Sequence, residues 1–591
     1  MKNLKTFYFC SLLILVSACS AHIPSKHETT ASNLSAKYSD LREQMHPQII
    51  NAMRKHKITG MSIILIDQSE IVWGEGFGYA DRQKQIQADV NTLYKAGSIS
   101  KIFTATAIMQ LVEQGKVDID APIQTYIPEL KIKYHFQNNN PISLRHIMTH
   151  RSGLSGDKFA GMFTQQAERF DGEVAYLNSI HQPFAPGQLT AYSNLATDLQ
   201  GVVVERVSGM KFEEYIEKNI LTPLQMQHAS FDDAKIDASL LSKPYRKNKE
   251  QPHYQIRNRP AGNLHVSALE LAKFANMVLQ KGSPIIQSTT LDSMLVPQHF
   301  ESEYDANAMF GLNWVVRRPP LDYLGKVAWH NGGTINFMSS MVILTDHNLA
   351  VIVLSNSGTS MPTVEDTINK LLSEAAKIKL GLQKPKPEAN AQQVALDFPS
   401  QALQDMPGTY GTAFGALTIE KSGSGIKGKM MGLGLKLNYH EDGWSSVRAR
   451  LFGFIPIPIP PLKNLRVKTR IIDQQKTLFV KYNDQEIAIG YAVEKYAISP
   501  AWRKRLGTQN VLTPAGDFQW AKSVELVEDS GYLLMELKSG MLGGRVLLKP
   551  INDNMALIPG LGRNGNETIY VATENSQEVF HFSGYRVVRE N

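Results

Sequence analysis

Ser98 and Lys101 form a Ser-x-x-Lys pair at the start of a stretch, Ala96–Glu113, whose pattern predicts a helix. Residues three apart lie on one helical face, so the hydroxyl and the amine share a side. An aliphatic hydroxyl is a poor nucleophile, and a lysine can serve as its base once burial and a helix N-terminus lower the lysine pKa. The spacing predicts a covalent nucleophile, Ser98, with Lys101 as its partner. Three other Ser-x-x-Lys tetrapeptides occur in the chain, so the pair needs support from other residues.

Two later stretches carry polar groups that can join this pair. Tyr192–Asn194 supplies a phenol and an amide, although Tyr176–Asn178 has the same spacing, which makes the pattern weak on its own. The stretch His330–Thr334, H-N-G-G-T, follows one β-like run and precedes another. Its glycines would let a substrate lie against the edge of a strand.

The elements around these stretches predict an α+β fold. Apolar residues recur at spacings of three and four along Ala96–Glu113, which indicates a buried helical face. The middle of the chain reads mainly as helices, and one of them, Phe212–Phe231, is expected to be broken at Pro223. Beta-like runs stand on either side of this middle part, at Met61–Asp67, Ile71–Tyr79, Gly325–His330, Asn336–Thr345 and Leu349–Ser355, with a last helix at Thr363–Ala376. This order predicts an antiparallel sheet whose first and last pieces pair around a helical insertion.

In their order and wording, the three motifs resemble those of the serine β-lactamase and penicillin-binding-protein superfamily. The resemblance is to the branch with class C β-lactamases, serine esterases and D-amino-acid peptidases, which has S-x-x-K, then Y-x-N, then K-T-G or H-x-G. Neighbouring stretches such as Leu144–Leu154, L-R-H-I-M-T-H-R-S-G-L, also match. The similarity covers about Met45–Leu380 and implies a serine β-lactamase-like catalytic domain.

The resemblance also implies a mechanism. Ser98 would attack a carbonyl of a small-molecule or peptide substrate, and Lys101 and Tyr192 would take its proton and later deliver one to the leaving group. The backbone N–H groups of Ser98 and Gly333 would stabilise the oxyanion, and water would hydrolyse the acyl-Ser98 ester. No metal or organic cofactor is implied.

The roles of two further site residues, Asn194 and His330, do not identify the substrate. Asn194 would hydrogen-bond the substrate or Lys101, and His330 would support Tyr192 or a substrate acid. His330 stands where penicillin-recognising members usually carry lysine, and because histidine is only partly charged near neutrality it should hold a carboxylate less firmly. An esterase or D-amino-acid peptidase, compatible with a cell-wall role, is therefore preferred. The alternatives are a β-lactamase with weak turnover, or a penicillin-binding sensor or cell-wall-binding module that acylates without efficient hydrolysis.

The first residues predict export. Lys2 and Lys5 precede a short apolar run that ends in V-S-A-C at Cys19, so residues 1–18 read as a signal peptide. A cysteine after small residues resembles the bacterial lipoprotein box, which makes Cys19 the expected lipidation site, residues 19–44 a tether and the cell envelope the location. The only other cysteine, Cys10, lies within the signal, so the mature chain would hold no disulfide and no cysteine metal site.

The composition argues against some classes of binding partner. The chain has 591 residues and a formal net charge of +7 without a basic cluster, which favours a solvated surface over nucleic-acid binding. His146 and His150 are four apart, but the H-E-x-x-H pattern of zinc sites is lacking. The oligomeric state is left open.

The C-terminal part differs in kind from the rest. The predicted catalytic domain spans 45–383, a linker containing K-P-K-P-E spans 384–399, and residues 400–591 form short β-like runs typical of barrels. A faint repeat, Leu403–Tyr410 and Trp502–Gln509, favours two modules at 400–499 and 500–591 over one larger barrel. Phe452–Lys463, rich in proline and isoleucine, reads either as a packed irregular loop or as an exposed apolar one.

Overall fold

The computed structural model describes residues 35–589, apart from residues 139, 299, 301, 306–309, 386–394, 452–454, 457–461, 463, 483–484 and 541–543. The predicted signal peptide and Cys19 lie outside the described residues, as do most of the predicted tether and linker and most of the Phe452–Lys463 loop.

A six-stranded antiparallel sheet, here called the central sheet, organises the N-terminal part of the chain. Its strands lie in the spatial order Val327–Gly333, Met338–Leu344, Leu349–Ser355, Gly60–Asp67, Glu70–Asp81 and Ile86–Gln87. The early strand Gly60–Asp67 pairs with the late strand Leu349–Ser355, which confirms the prediction that the first and last pieces of the sheet join. The predicted helical insertion and α+β class are likewise confirmed.

Both faces of the central sheet are buried because its middle strands alternate between two apolar cores. Ile63 and Leu65 face the core under two outer helices, Ser39–His56 and Met361–Leu380. Ile64 faces the opposite core, which is shared with the helical insertion.

The helical insertion surrounds the predicted nucleophile. Its helices are Ser100–Glu113, Leu144–Met148, Glu173–Ser179, Asn194–Ser208, Phe212–Ile216, Arg259–Gly262, Ala268–Leu279 and Ser288–Met294. Short strand pairs join its loops, namely Tyr94–Lys95 with His265–Val266, Lys133–Tyr134 with His181–Gln182, Phe163–Thr164 with Gln255–Ile256, and Tyr245–Arg246 with Lys249–Glu250. None of the helices in the described part of the chain combines the length and apolarity needed to cross a membrane.

Two details of the predicted helices were wrong. The segment Phe212–Phe231 breaks before Pro223 as predicted, after a π-turn at Glu217–Leu221, because proline lacks the N–H group that another turn needs, but the helix expected beyond Pro223 is absent. The helix expected to begin at Ala96 opens with a 3-10 turn, Gly97–Ile99, before the α-helix Ser100–Glu113. Gly97 has φ of +55°, which an α-helix cannot accommodate.

The C-terminal region forms two closed eight-stranded barrels, which confirms the predicted barrel-like class. The strands of the first barrel are Gly408–Thr412, Gly415–Ser422, Gly425–Met430, Leu433–Tyr439, Ser445–Leu451, Arg466–Ile472, Gln475–Tyr482 and Gln485–Ala492, with a short extra strand at Ile455–Pro456. Those of the second barrel are Gly507–Leu512, Ala521–Asp529, Tyr532–Gly540, Gly544–Asn552, Met555–Ile558, Glu567–Glu574, Gln577–Phe582 and Tyr585–Arg589. Short helices, Ser400–Asp405 and Pro500–Lys504, precede the first strands, so the faint sequence repeat marks equivalent entries into the two barrels.

The second barrel docks on the helical insertion through a buried carboxyl group. Ser155 Oγ lies 2.7 Å and 2.8 Å from the two carboxyl oxygens of Glu567, and the backbone N–H of Gly156 donates to Oε1 at 3.1 Å. Burial raises the pKa of Glu567 to about 7, even though these hydrogen bonds act in the opposite direction. The joint therefore contains an acid that changes its charge near neutral pH.

We expect the joint to weaken as the pH rises. Because the folded pKa of Glu567 lies above its unfolded value, its contribution to stability is full below pH 4.5 and is lost as the pH rises to about 7. Glu567→Gln replaces the carboxyl group with an amide of similar shape that does not change its charge with pH. Between pH 5 and pH 8, the melting temperature of the wild type should fall relative to that of Glu567→Gln in calorimetric scans. Glu528→Gln, at an exposed ion pair on the same barrel, is the control and should follow the wild type; parallel curves for Glu567→Gln would contradict the expectation.

Candidate active site

The predicted nucleophile lies in a tight turn against the edge of the central sheet. Gly97 precedes Ser98 in a left-handed conformation, and a Cβ atom on Gly97 would lie only 2.7 Å from the backbone nitrogen of Gly333. Ser339 Oγ donates to Ala96 O at 2.6 Å, which holds the turn on the strand next to the one that carries Gly333. Ser98 is half-buried, whereas Gly333 is exposed, so this edge opens to solvent beside the hydroxyl.

Lys101 is fully buried and its amine reaches the Ser98 hydroxyl. Lys101 Nζ lies 3.3 Å from Ser98 Oγ, 2.7 Å from Asn194 Oδ1 and 2.8 Å from the backbone oxygen of Ala261. Desolvation by burial, assisted by the positive charge of Arg563, lowers the pKa of Lys101 to about 7. A substantial share of the amine is therefore neutral near pH 7 and able to accept a proton.

Tyr192 lies over the same amine. The Lys101 ammonium nitrogen is 4.9 Å from the centre of the Tyr192 ring, and the ring of His150 packs at 4.1 Å. Burial raises the pKa of Tyr192 to about 12, against the opposing effects of a hydrogen bond with Ser98 and the charge of Arg563. The phenol stays protonated at neutral pH, which makes it a proton donor in the resting site.

Asn194 links the amine to an acid that the sequence reasoning missed. Ser193 caps the helix Asn194–Ser208 by accepting a hydrogen bond from the Ala196 N–H, which fixes Asn194 at the first turn. Its amide nitrogen donates to Asp157 Oδ1 at 2.7 Å, while its oxygen accepts from Lys101. The Asn194 amide is thereby oriented with its oxygen toward the lysine.

Asp157 in turn binds an arginine from the second barrel. Arg563 Nε and Nη2 donate to Asp157 Oδ2 at 2.9 Å and 2.7 Å, and the Asp157 carboxylate is completely buried. The Arg563 guanidinium carbon lies 5.0 Å from the centre of the Tyr192 ring. A continuous chain of hydrogen bonds thus runs from the barrel to the nucleophile through Arg563, Asp157, Asn194, Lys101 and Ser98.

His330 is buried on the strand Val327–Gly333, which also carries Gly333, and faces the same cleft. Its ring centre is 6.5 Å from that of Tyr192, and its Nδ1–H donates to the backbone oxygen of Asn331. Burial and the charge of Lys101 lower the pKa of His330 to about 4, so the ring is neutral at pH 7. With Nδ1 donating, Nε2 is the acceptor.

The turn that carries Arg563 is clamped between the two barrels. Leu561 N–H donates to Ile489 O of the first barrel at 3.2 Å, and the Tyr491 hydroxyl donates to Asn566 Oδ1. Gly562 has φ of +82°, in a turn that places Asn564 Oδ1 2.9 Å from where a Cβ of Gly156 would stand. The clamp fixes the arginine rather than leaving it on a free loop.

The structure brings together the five predicted side chains, Ser98, Lys101, Tyr192, Asn194 and His330, and adds two that the sequence did not indicate, Asp157 and Arg563. The only local signal for Arg563 is the glycine-rich tract P-G-L-G-R-N-G-N, which reads as an ordinary turn between strands. His150 does not form the metal pair considered with His146; it has φ of +58° and follows the helix Leu144–Met148. No group of three His, Cys, Asp or Glu side chains suited to a metal ion occurs within the described residues.

Comparison with known proteins assigns this fold and site to a family. The chain matches the family model Beta-lactamase over residues 45–375, more than half of its length. The protein therefore belongs to the β-lactamase family, within the superfamily that also holds the penicillin-binding proteins. Members of this superfamily are in general serine hydrolases.

Individual relatives are distant. Protein flp of Staphylococcus aureus strain COL is 24% identical over 329 residues, which are 54% of this chain and 64% of the relative. The putative penicillin-binding protein PbpX of Bacillus subtilis is 30% identical over 239 residues, 38% of this chain and 56% of the relative. The matches thus span less than two thirds of these relatives.

Solved structures share the fold over a longer span. The octameric penicillin-binding protein homologue from Pyrococcus abyssi has a TM-score of 0.52 at 21% identity, covering 76% of this chain and 99% of that one. The crystal structure of SurE with D-Leu has a TM-score of 0.53 at 17% identity, covering 76% of this chain and 99% of that one. At these identities the likeness concerns the fold alone.

We expect the pH dependence of Ser98 reactivity to report Lys101. The rate of labelling by a fluorophosphonate should rise with pH through a midpoint near 7, because deprotonated Lys101 accepts the hydroxyl proton. Arg563→Gln removes a cation that lowers the pKa of Lys101, so the midpoint should move to higher pH. Stopped-flow labelling from pH 5 to pH 9 measures this, with Arg503→Gln, at an exposed ion pair on the same barrel, as the control. An unmoved midpoint in Arg563→Gln would argue against the electrostatic coupling.

Proposed function

We propose that this protein is an exported, lipid-anchored serine hydrolase that cleaves an ester or amide through an acyl-Ser98 intermediate. The observation that carries this proposal is the buried amine of Lys101, 3.3 Å from Ser98 Oγ and with a pKa of about 7. A buried lysine that is partly neutral and touches a half-exposed hydroxyl is the arrangement that nucleophilic catalysis needs.

The two ionisable neighbours of Ser98 divide the proton transfers between them. Lys101, with the lower pKa, takes the hydroxyl proton as Ser98 Oγ attacks the carbonyl carbon. Tyr192, which stays protonated, donates to the leaving group when the tetrahedral intermediate collapses, and Lys101 restores the phenol proton. The backbone N–H groups of Ser98 and Gly333 serve the oxyanion, and water then releases the acyl group from Ser98.

The third motif favours an esterase or D-amino-acid peptidase over a β-lactamase. Neutral His330 offers no positive charge at the strand where a lysine would bind a penicillin carboxylate. Its Nε2 instead can accept a hydrogen bond from Tyr192 or from substrate. A role on cell-wall material is compatible with the predicted envelope location.

We expect Ser98 to form a covalent adduct. Incubation with a fluorophosphonate should add one phosphonyl group to the wild type and none to Ser98→Ala, read by intact-mass spectrometry and peptide mapping. Parallel incubation with benzylpenicillin separates the alternatives, since a persistent penicilloyl adduct indicates a sensor and rapid loss of the adduct with hydrolysed drug indicates a β-lactamase. Absence of phosphonylation in folded wild type would refute the serine hydrolase.

The proposed lipid anchor at Cys19 is tested separately from the hydrolase activity. Expressed with its natural N-terminus in a bacterial host, the protein should partition with membranes, and Cys19→Ser should release it to the soluble envelope fraction because the lipid is lost. Cys10→Ser, within the predicted signal, is the matched control and should remain with the membranes. Membrane association unchanged by Cys19→Ser would rule out this anchor.

A further inference from the structure

The cleft contains a cation, Arg563, that takes no part in the proton transfers at Ser98. Arg563 extends from the second barrel to the Tyr192 ring, and 42% of its side chain is exposed, whereas Asp157 beneath it is fully buried. A guanidinium stays charged at any pH at which the protein is folded. Arg563 therefore presents a permanent positive charge to solvent beside the catalytic phenol.

Part of the guanidinium is available to a ligand. Nε and Nη2 both donate to one oxygen of Asp157, and none of the hydrogen bonds found among the described residues uses Nη1. An arginine has five N–H groups arranged as a planar fork, so one edge can hold Asp157 while another binds a second carboxylate.

The other cations near Ser98 are unsuited to this task. All three hydrogen bonds of Lys101 are taken up by Ser98, Asn194 and Ala261, and the amine is buried. His330 is neutral at pH 7 and donates its Nδ1–H to its own strand. Arg563 of the second barrel is therefore the cation that can supply the charge missing from the third motif.

We propose that Arg563 binds a carboxylate on the leaving group of the substrate, so that the second barrel sets the specificity of the catalytic domain. This inference rests on the proposed function, in which Tyr192 protonates the leaving group; Arg563 contacts the Tyr192 ring and therefore lies on that side of the scissile bond. The substrate class is a peptide or ester that releases a free acid, such as a peptide cleaved next to its C-terminal residue.

The clamp on the Arg563 turn supports a role for this arginine in substrate recognition, because it fixes the side chain in one position. The turn is held by Ile489 and Tyr491 of the first barrel, and Asp157 fixes the plane of the guanidinium. A group held in place before the substrate arrives loses little conformational entropy on binding.

A matched pair of esters tests the inference. With 3-acetoxybenzoate, Ser98 Oγ bonds to the acetyl carbon, the bond between that carbon and the phenolic oxygen breaks, and 3-hydroxybenzoate leaves with a proton from Tyr192. Methyl 3-acetoxybenzoate reacts in the same way but carries no carboxylate. At pH 8.5 the wild type should have the higher kcat/KM for the acid, and Arg563→Gln should lower the acid-to-ester ratio about tenfold or more. Arg563→Lys should keep part of the preference. Both substrates react through Lys101, so any effect of the substitution on Lys101 changes both kcat/KM values equally and cancels in the ratio.

The controls separate the ways in which this idea can fail. Arg503→Gln, at an exposed site on the same barrel, should leave the ratio at its wild-type value. If Arg563→Gln and Arg563→Lys lower both rates equally, Arg563 is only a structural link to Asp157 and the inference is overturned. If the wild type forms no fluorophosphonate adduct at Ser98, the proposed function fails instead, whatever the ratio shows.

Discussion

The burial of one amine sets the requirements for the whole site. Lys101 lies in the core with three hydrogen-bond acceptors, and none of them carries a charge. An ammonium ion without a direct counter-ion is costly in such a place, so the proton is held weakly. Each acceptor comes from a different segment: the turn at Ser98, the helix that begins at Asn194, and the short helix that contains Ala261. The insertion must therefore fold around the amine before the nucleophile can be activated.

The second barrel takes part in that arrangement. Asp157 would be a buried carboxylate without a cationic partner if Arg563 were absent, and the same arginine lowers the pKa of Lys101. Two ionic effects of opposite sign thus meet at the amine, one from the acid inside the insertion and one from the barrel. The barrels are in this sense part of the electrostatics of the catalytic domain.

The sequence predicted what depends on local pattern. The apolar stripe of Ala96–Glu113 and the strand runs at Met61 and Leu349 follow from periodicity, and the order of three short motifs brought Ser98, Tyr192 and His330 together. Asp157 and Arg563 could not be found in this way, because their roles arise from the docking of segments far apart in the chain. The break after Leu221 was foreseen at Pro223, but the loss of helix beyond it depends on tertiary packing.

Because Arg563 lies in the second barrel, far along the chain from Ser98, the turn clamped by the two barrels also affects when the site can reach its final form. Synthesis delivers Ser98 and Lys101 early, whereas Arg563, which neutralises Asp157, follows the whole first barrel and precedes the last three strands of the second. A chain that is cut short, or still emerging, holds a nucleophile with an incomplete electrostatic environment. The order of residues along the polypeptide thus means that the electrostatic environment of Ser98 is completed late, when Arg563 binds Asp157.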